Sequence, residues 1–122
     1  MPKSMPKSIE EASLAVVAAV RDHAGEAARL LKALGNEQRL LVMCALLTGP
    51  LSVGELNERI ALSQSALSQH LAVLRAGRLV KTHRQSQAIY YSLAPGPALK
   101  IMQVLYSEFC RPARRRDVER SR

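Results

Sequence analysis

Leu51–Gly77 reads LSVGELNERIALSQSALSQHLAVLRAG, and Leu79–Leu93 follows almost at once as LVKTHRQSQAIYYSL. In the first stretch Ser52 stands three residues ahead of Glu55, the spacing of a capping box. A short helix is therefore expected from that point, ending near Ile60. Ser63 can cap the next helix, where Leu67, Leu71 and Leu74 recur at i, i+4 and i+7 and define one apolar face. Gly77 is expected to end it as a left-handed residue. From Leu79 the period changes to two: Ile89, Tyr91 and Leu93 alternate with Ala88, Tyr90 and Ser92, as in a half-buried strand. His83-Arg84-Gln85-Ser86-Gln87 then reads as the tip of a hairpin. A helix–turn–helix followed by a hairpin is a winged helix–turn–helix.

The flanks extend this unit. Ser8 with Glu11 is a second capping box, opening a helix to about His23, and Gly25 is expected to break or bend it before EAARLLKALG continues. Asn36 can cap a helix through RLLVMCALL that stops at Gly49-Pro50. Pro95-Gly96-Pro97 closes the last strand, and Pro97 suits the first turn of a final helix. That helix sets Ala98, Met102, Leu105 and Phe109 on one stripe, with Leu99 and Tyr106 flanking, and ends near Arg111-Pro112. The expected order is α-α-α-α-β-β-α, a mainly α fold with a β-hairpin wing. Residues 9–110 form one domain between a flexible tail, 1–8, and a basic tail, 111–122. A chain this small has few partners for two apolar terminal helices. A homodimer through them would bury both and set two reading helices about one turn apart on palindromic DNA.

The 122 residues hold 18 Lys+Arg against 10 Asp+Glu, a formal charge of +8. That surplus suits a polyanion, since neutralised phosphates release counterions. Aromatic residues make up 3% of the chain, too few for the stacking platforms of single-strand binders, so duplex DNA is the expected partner. The longest apolar runs, Leu14–Val20 and Leu40–Leu47, fall far short of the roughly 20 residues that span a bilayer, so no membrane partner is expected. MPKSMPKS lacks a signal-peptide pattern, and a cytoplasmic location is expected. There, the two cysteines read as thiols with reversible chemistry rather than a permanent bridge. No Gly-rich phosphate loop, Ser/His/Asp grouping or paired carboxylate suggests an enzyme.

On the second helix of the motif, Gln64, Ser65, Ser68 and Gln69 lie at the amino end, away from the leucine stripe. Glutamine can pair bidentately with adenine in the major groove, and serine can donate or accept. A merely solvated helix start is the competing reading. His70 sits beside the apolar stripe and reads as a packed or interface histidine. Lys81, His83 and Arg84 put positive charge on the first strand and wing tip, with Arg84 the phosphate or minor-groove contact. Arg114-Arg115-Arg116 adds either sequence-independent attraction or a solubilising tail.

The segments LLKALGNEQRLLVMCALL, LSQSALSQHLAVLRAGRLV and QAIYYSL resemble the ArsR-type small winged-helix repressors from about Ala27 to Cys110. The resemblance implies dimeric repressors released from operator DNA by an effector, with DNA contacts at Ser65, Ser68 and Gln69 and a wing around Arg84. Many such proteins sense metals. One known ligand pattern falls here on Val53-Gly54-Glu55-Leu56, and another, on the last helix, meets only Glu108, so no metal and no cofactor is implied. Cys44 and Cys110 stand where the BigR-type persulfide-sensing subgroup carries its pair. That resemblance implies that reactive sulfur species link the thiols by a disulfide or longer sulfur bridge and the repressor leaves DNA. Alternatives are a metal-responsive repressor, or a constitutive DNA binder whose cysteines are structural.

Overall fold

The computed structural model describes residues 8–110. Of the tail expected over 1–8, residues 1–7 lie outside the described residues, as do the basic tail 111–122 and its arginine cluster, while Ser8 is the N-cap of the first helix. Ser8 opens α1 (Ile9–Arg21), its hydroxyl accepting the Glu11 N–H at 3.0 Å. The chain leaves the helix at Asp22-His23, where His23 has φ −113° and ψ 0°, and α2 runs from Ala24 to Leu34. The break therefore precedes Gly25, which lies inside the first turn of α2. Asp and His are weak helix formers, in keeping with a break at this pair. Of the break or bend expected at Gly25, the structure shows a break, two to three residues earlier.

Asn36 caps α3 (Glu37–Ala45), with Oδ1 accepting from the Gln38 and Arg39 N–H groups at 3.0 Å each. A 3₁₀ turn, Leu46–Thr48, tightens its end, and Gly49 takes a φ of 142° that a side chain would resist. Next comes β1, Leu51–Ser52, which the sequence reading missed. It pairs antiparallel with the later hairpin, Leu51 opposite Tyr91 and Ser52 opposite Tyr90. Ser52 also caps α4 (Val53–Arg59) in a complete capping box, accepting from the Glu55 N–H at 3.2 Å and donating its own N–H to Glu55 Oε1 at 2.9 Å.

Ser63 caps α5 (Gln64–Ala76) through the Ala66 N–H at 3.1 Å. At its far end the Leu79 N–H bonds the Leu74 carbonyl and the Arg78 N–H bonds the Arg75 carbonyl, both at 2.9 Å. This is a Schellman motif, and its left-handed residue is Arg78, with φ 61°, not Gly77, whose φ is −81°. The expected left-handed position was one residue early. β2 (Val80–Gln85) and β3 (Ala88–Leu93) complete the wing, and the sheet order is β1-β3-β2. Gln85 pairs with Ala88, so the tip is only Ser86-Gln87, with Ser86 at φ 58°. His83 and Arg84 lie on the strand, not in the tip.

The last helix, α6, spans Pro97–Leu105 and opens at Tyr106–Cys110 into a π-helical turn. Ala98 and Met102 are buried as expected, but Phe109 is 81% exposed. The i→i+5 spacing of the final turn rotates Phe109 off the stripe. The core gathers Val42, Met43, Leu46, Leu56, Leu67, Leu71, Leu74, Val80 and Met102. Against it α1 contributes no buried residue. Among the described residues no helix is long and apolar enough to cross a membrane.

A non-glycine residue in the left-handed region costs roughly 1 kcal/mol. Arg78→Gly should therefore raise unfolding stability by about 1 kcal/mol. Gly77→Ala should change it by less than about 0.5 kcal/mol, since an added Cβ meets nothing closer than the Val73 carbonyl at 3.5 Å. Urea midpoints at constant slope measure both. A large loss for Gly77→Ala with no gain for Arg78→Gly contradicts this assignment.

Candidate nucleic-acid interface and thiol pair

The seating of α5 decides what its polar residues can reach. Leu67, Leu71 and Leu74 are 0%, 2% and 0% exposed and face the core helices. Gln64, Ser65, Ser68 and Gln69 are all exposed, one pair in the first turn and the other a turn later. Ser65 Oγ lies 3.4 Å from Ser63 Oγ, so the hydroxyl that caps the helix neighbours one that projects from it. The four residues named from the sequence thus share the free end of a helix whose other side is locked into the core.

The wing divides its cations. Successive strand residues point to opposite faces, so Lys81 and His83 share one face while Thr82 and Arg84 share the other with buried Val80. Arg84 pairs with Ile89, beyond the edge of the core, and is exposed. His83 stacks on its cross-strand neighbour Tyr90, ring centroids 5.7 Å apart and planes 18° from parallel. Lys81, His83 and Arg84, named together in the sequence reading, are thus divided between the two faces of the strand.

Cys44 lies on α3, half-buried against the core, and Cys110 closes the π-helical turn, exposed. Both are free thiols. Burial pushes the Cys44 thiol above the usual cysteine range, and the negative charge of a Cys110 thiolate pushes it further. Two residues remote in sequence thus stand within electrostatic reach of each other. The sequence could not give this proximity, because it depends on how α6 folds back across the core. Among the described residues no group of three His, Cys, Asp or Glu could hold a metal ion. A cleft of about 600 Å³ opens elsewhere, between α2 and the β3–α6 loop, and includes neither a cysteine nor a residue of the reading helix's free end.

One contact was missed in the sequence. Arg39, on α3, donates from Nε to the Ala33 carbonyl at 2.6 Å, and its Nη1 lies 3.4 Å from His70 Nδ1 on α5. His70 was read as a packed histidine, and it is half-buried; nothing in the sequence named its partner.

Among known proteins, residues 36–82 match the profile of the family described as bacterial regulatory protein, arsR family. The chain is 40% identical over 108 residues to the transcriptional activator HlyU of Vibrio cholerae, covering 88% of this chain and 93% of that one. Reduced HlyU from the same species superposes with a TM-score of 0.72 at 43% identity, over 76% of this chain and 98% of that one. The transcriptional repressor BigR from Xylella fastidiosa gives a TM-score of 0.70 at 40% identity, over 75% and 91% of the two chains.

Alkylation of the thiols tests their electrical contact. Cys110 should react first at neutral pH and Cys44 should lag, with the lag shrinking as pH rises and thiolate forms. Cys110→Ser should speed Cys44 modification, yet leave it slower than an ordinary thiol, because burial is the larger cause. Mass spectrometry of timed samples reads both rates. A Cys44 rate indifferent to Cys110→Ser at every pH would falsify the contact.

Proposed function

The chain belongs to the arsR family of bacterial regulatory proteins, and on that premise we propose a homodimeric winged helix–turn–helix repressor released from palindromic operator DNA when Cys44 and Cys110 are linked through sulfur. What supports the reading is the placement of two free thiols, one half-buried on a core helix and one exposed on the last turn, with burial first and the charge of Cys110 second raising the Cys44 thiol.

The chemistry follows from their exposure. The Cys110 thiolate attacks the sulfane sulfur of a persulfide RSSH, forming Cys110–S–SH and releasing RSH. The Cys44 thiolate then attacks Cys110 Sγ, closing a disulfide and expelling hydrosulfide. The sum is RSSH plus two thiols giving one disulfide, RSH and hydrogen sulfide. A second persulfide in place of the direct attack retains an extra sulfur in the bridge. A disulfide needs Cα atoms within about 7 Å, and a longer bridge relaxes that limit. A relative 43% identical has a solved structure named as its reduced form, the state from which the proposed bridging starts.

DNA contact is assigned to Gln64, Ser65, Ser68 and Gln69 in the major groove and to Arg84 on the wing. Their common exposure at the free end of α5 supports it. The dimer is assigned to the terminal helices. α1 buries nothing in its own protomer, and Leu14, Val16, Val17 and Val20 stay exposed along it. An isolated helix of this length is marginal in water, so a partner surface must hold it. Phe109 and Val104 offer a matching apolar surface on the last helix. A second reading, a constitutive DNA binder with inert thiols, draws on the burial that suppresses the Cys44 thiolate.

A duplex selected from a random library on the reduced protein supplies the operator. Inorganic polysulfide should weaken wild-type binding by about 5–150-fold, the usual range of allosteric coupling. Cys44→Ser and Cys110→Ser should each bind like wild type when reduced and resist release. Normal release by either variant returns the protein to the constitutive reading. Gln69→Ala should cost about 1–3 kcal/mol of operator affinity, whereas Arg84→Ala should weaken all duplexes alike and reduce the salt slope by about 1. Val17→Glu should shift the protein to monomer in sedimentation at micromolar concentration.

A further inference from the structure

The contacts that seat α5 on α3 are mostly apolar, and apolar packing is nondirectional: it holds two helices together without fixing how one is set along the other. The exception is Arg39. From α3 it reaches back to the Ala33 carbonyl near the end of α2 and across to His70 on α5. A guanidinium can only donate, so as a hydrogen bond this contact needs a lone pair on His70 Nδ1. His70 directly follows Gln69, one of the groove-facing residues. Arg39 lies five residues before Cys44 on the same helix, about 7.5 Å along its axis at the usual rise.

We infer that Arg39 and His70 are a positioning pair that fixes the setting of the reading helix on α3 and carries the state of Cys44 to it. The inference rests on the thiol switch proposed above. A bridge to Cys110 tugs α3 at Cys44. Because one side chain ties α2, α3 and α5 together, that displacement reaches α5 as a change of setting rather than being lost in sliding leucines. Protonating His70 mimics the disturbance. The imidazolium has no acceptor for Arg39 and repels it. α3 and β2 make the main contacts on α5. The other charged or titratable groups on these elements are Glu37 on α3, Lys81, His83 and Arg84 on β2, and Arg75 on α5 itself, all exposed, together with the half-buried Cys44 on α3, whose thiol burial keeps protonated. Arg39 is the partly buried charge that meets His70.

Operator affinity of the reduced full-length protein, followed by fluorescence anisotropy from about pH 8 to about pH 5.5, tests the pair across the range where histidines change charge. His70→Asn keeps an acceptor near the Nδ1 position but cannot be protonated, and it retains the other two histidines. Wild type should lose about tenfold more affinity than His70→Asn on acidification, consistent with losing a charge-assisted hydrogen bond. Parallel profiles overturn the assignment. In a second arm Arg39→Gln and Arg39→Lys are treated with inorganic polysulfide. Arg39→Gln should form the sulfur bridge, seen by mass spectrometry, yet release DNA less than about twofold, with Arg39→Lys intermediate. Release of Arg39→Gln equal to wild type overturns the relay, even where Cys44→Ser blocks release. If wild type itself does not release, the thiol reading fails, while the pH arm still judges the pair. That arm uses only His70→Asn, so it also stands if Arg39→Gln fails to fold.

Discussion

Leu67, Leu71 and Leu74 on α5, pressed onto the core, are the constraint from which the rest follows. Each is 2% exposed or less, and full burial of a leucine contributes roughly 1.5–3 kcal/mol. Three such side chains fix which side of the helix faces inward, and so which residues are left to face a groove. The same burial dictates the neighbours. Val42 and Met43 on α3 and Leu56 on α4 fill the space beneath, while Leu79 and Val80 start the wing directly from the helix end. The Schellman turn at Arg78 performs that redirection within two residues. A polar reading surface therefore exists because an apolar stripe elsewhere on the helix has nowhere else to go.

What could be read from the chain beforehand was whatever depends on near neighbours. Ser8, Asn36, Ser52 and Ser63 are all helix caps, because a cap needs only its own residue and the first turn that follows. The leucine period survives for the same reason. The errors fall where a local signal was ambiguous by a residue or a tertiary contact decided the outcome. Gly77 looked like the left-handed position, yet the hydrogen bonds place Arg78 there, with Leu79 buried behind it. The two-residue strand at Leu51–Ser52 exists only because β3 lies alongside it, and no pattern that short can announce itself. Phe109 fell off its stripe when the last turn widened. The polar run around Arg84 looked like a loop because strand residues beyond the core edge need no apolar face.

The candidate sites divide in the same way. The exposure of Gln64, Ser65, Ser68 and Gln69 follows from helical periodicity alone and was legible. The nearness of Cys44 and Cys110 was not, since it depends on the path of α6 over the core; only resemblance to a family had paired them. Arg39 was invisible as a functional residue, because an arginine in the first turn of a helix looks like any solvated cation. Its role comes from reaching two other helices at once. Relatives named as activator and as repressor share this fold. The fold alone therefore does not set the direction of control.

In the proposed switch, the position of α3 is what would let sulfur chemistry at one edge of the molecule bear on DNA at another. Close-packed interiors resist compression, so a helix that supplies Val42 and Met43 to the core cannot yield at Cys44 without displacing what leans on it. A buried thiol is a poor nucleophile, which looks like a defect in a sensor. In the proposed switch it is instead what would couple the chemistry to the packing, because a side chain free in solvent could be modified without moving anything. Exposed Cys110 gives access, and half-buried Cys44 gives leverage. Placing both functions on one cysteine would sacrifice one of them. In the proposed two-fold dimer the displacement would occur twice, and the spacing between the two α5 helices, which such dimers match to one turn of DNA, would be the quantity least tolerant of it. Small shifts at α3 need not unfold either reading helix to dislodge the protein; they need only spoil the match for the pair.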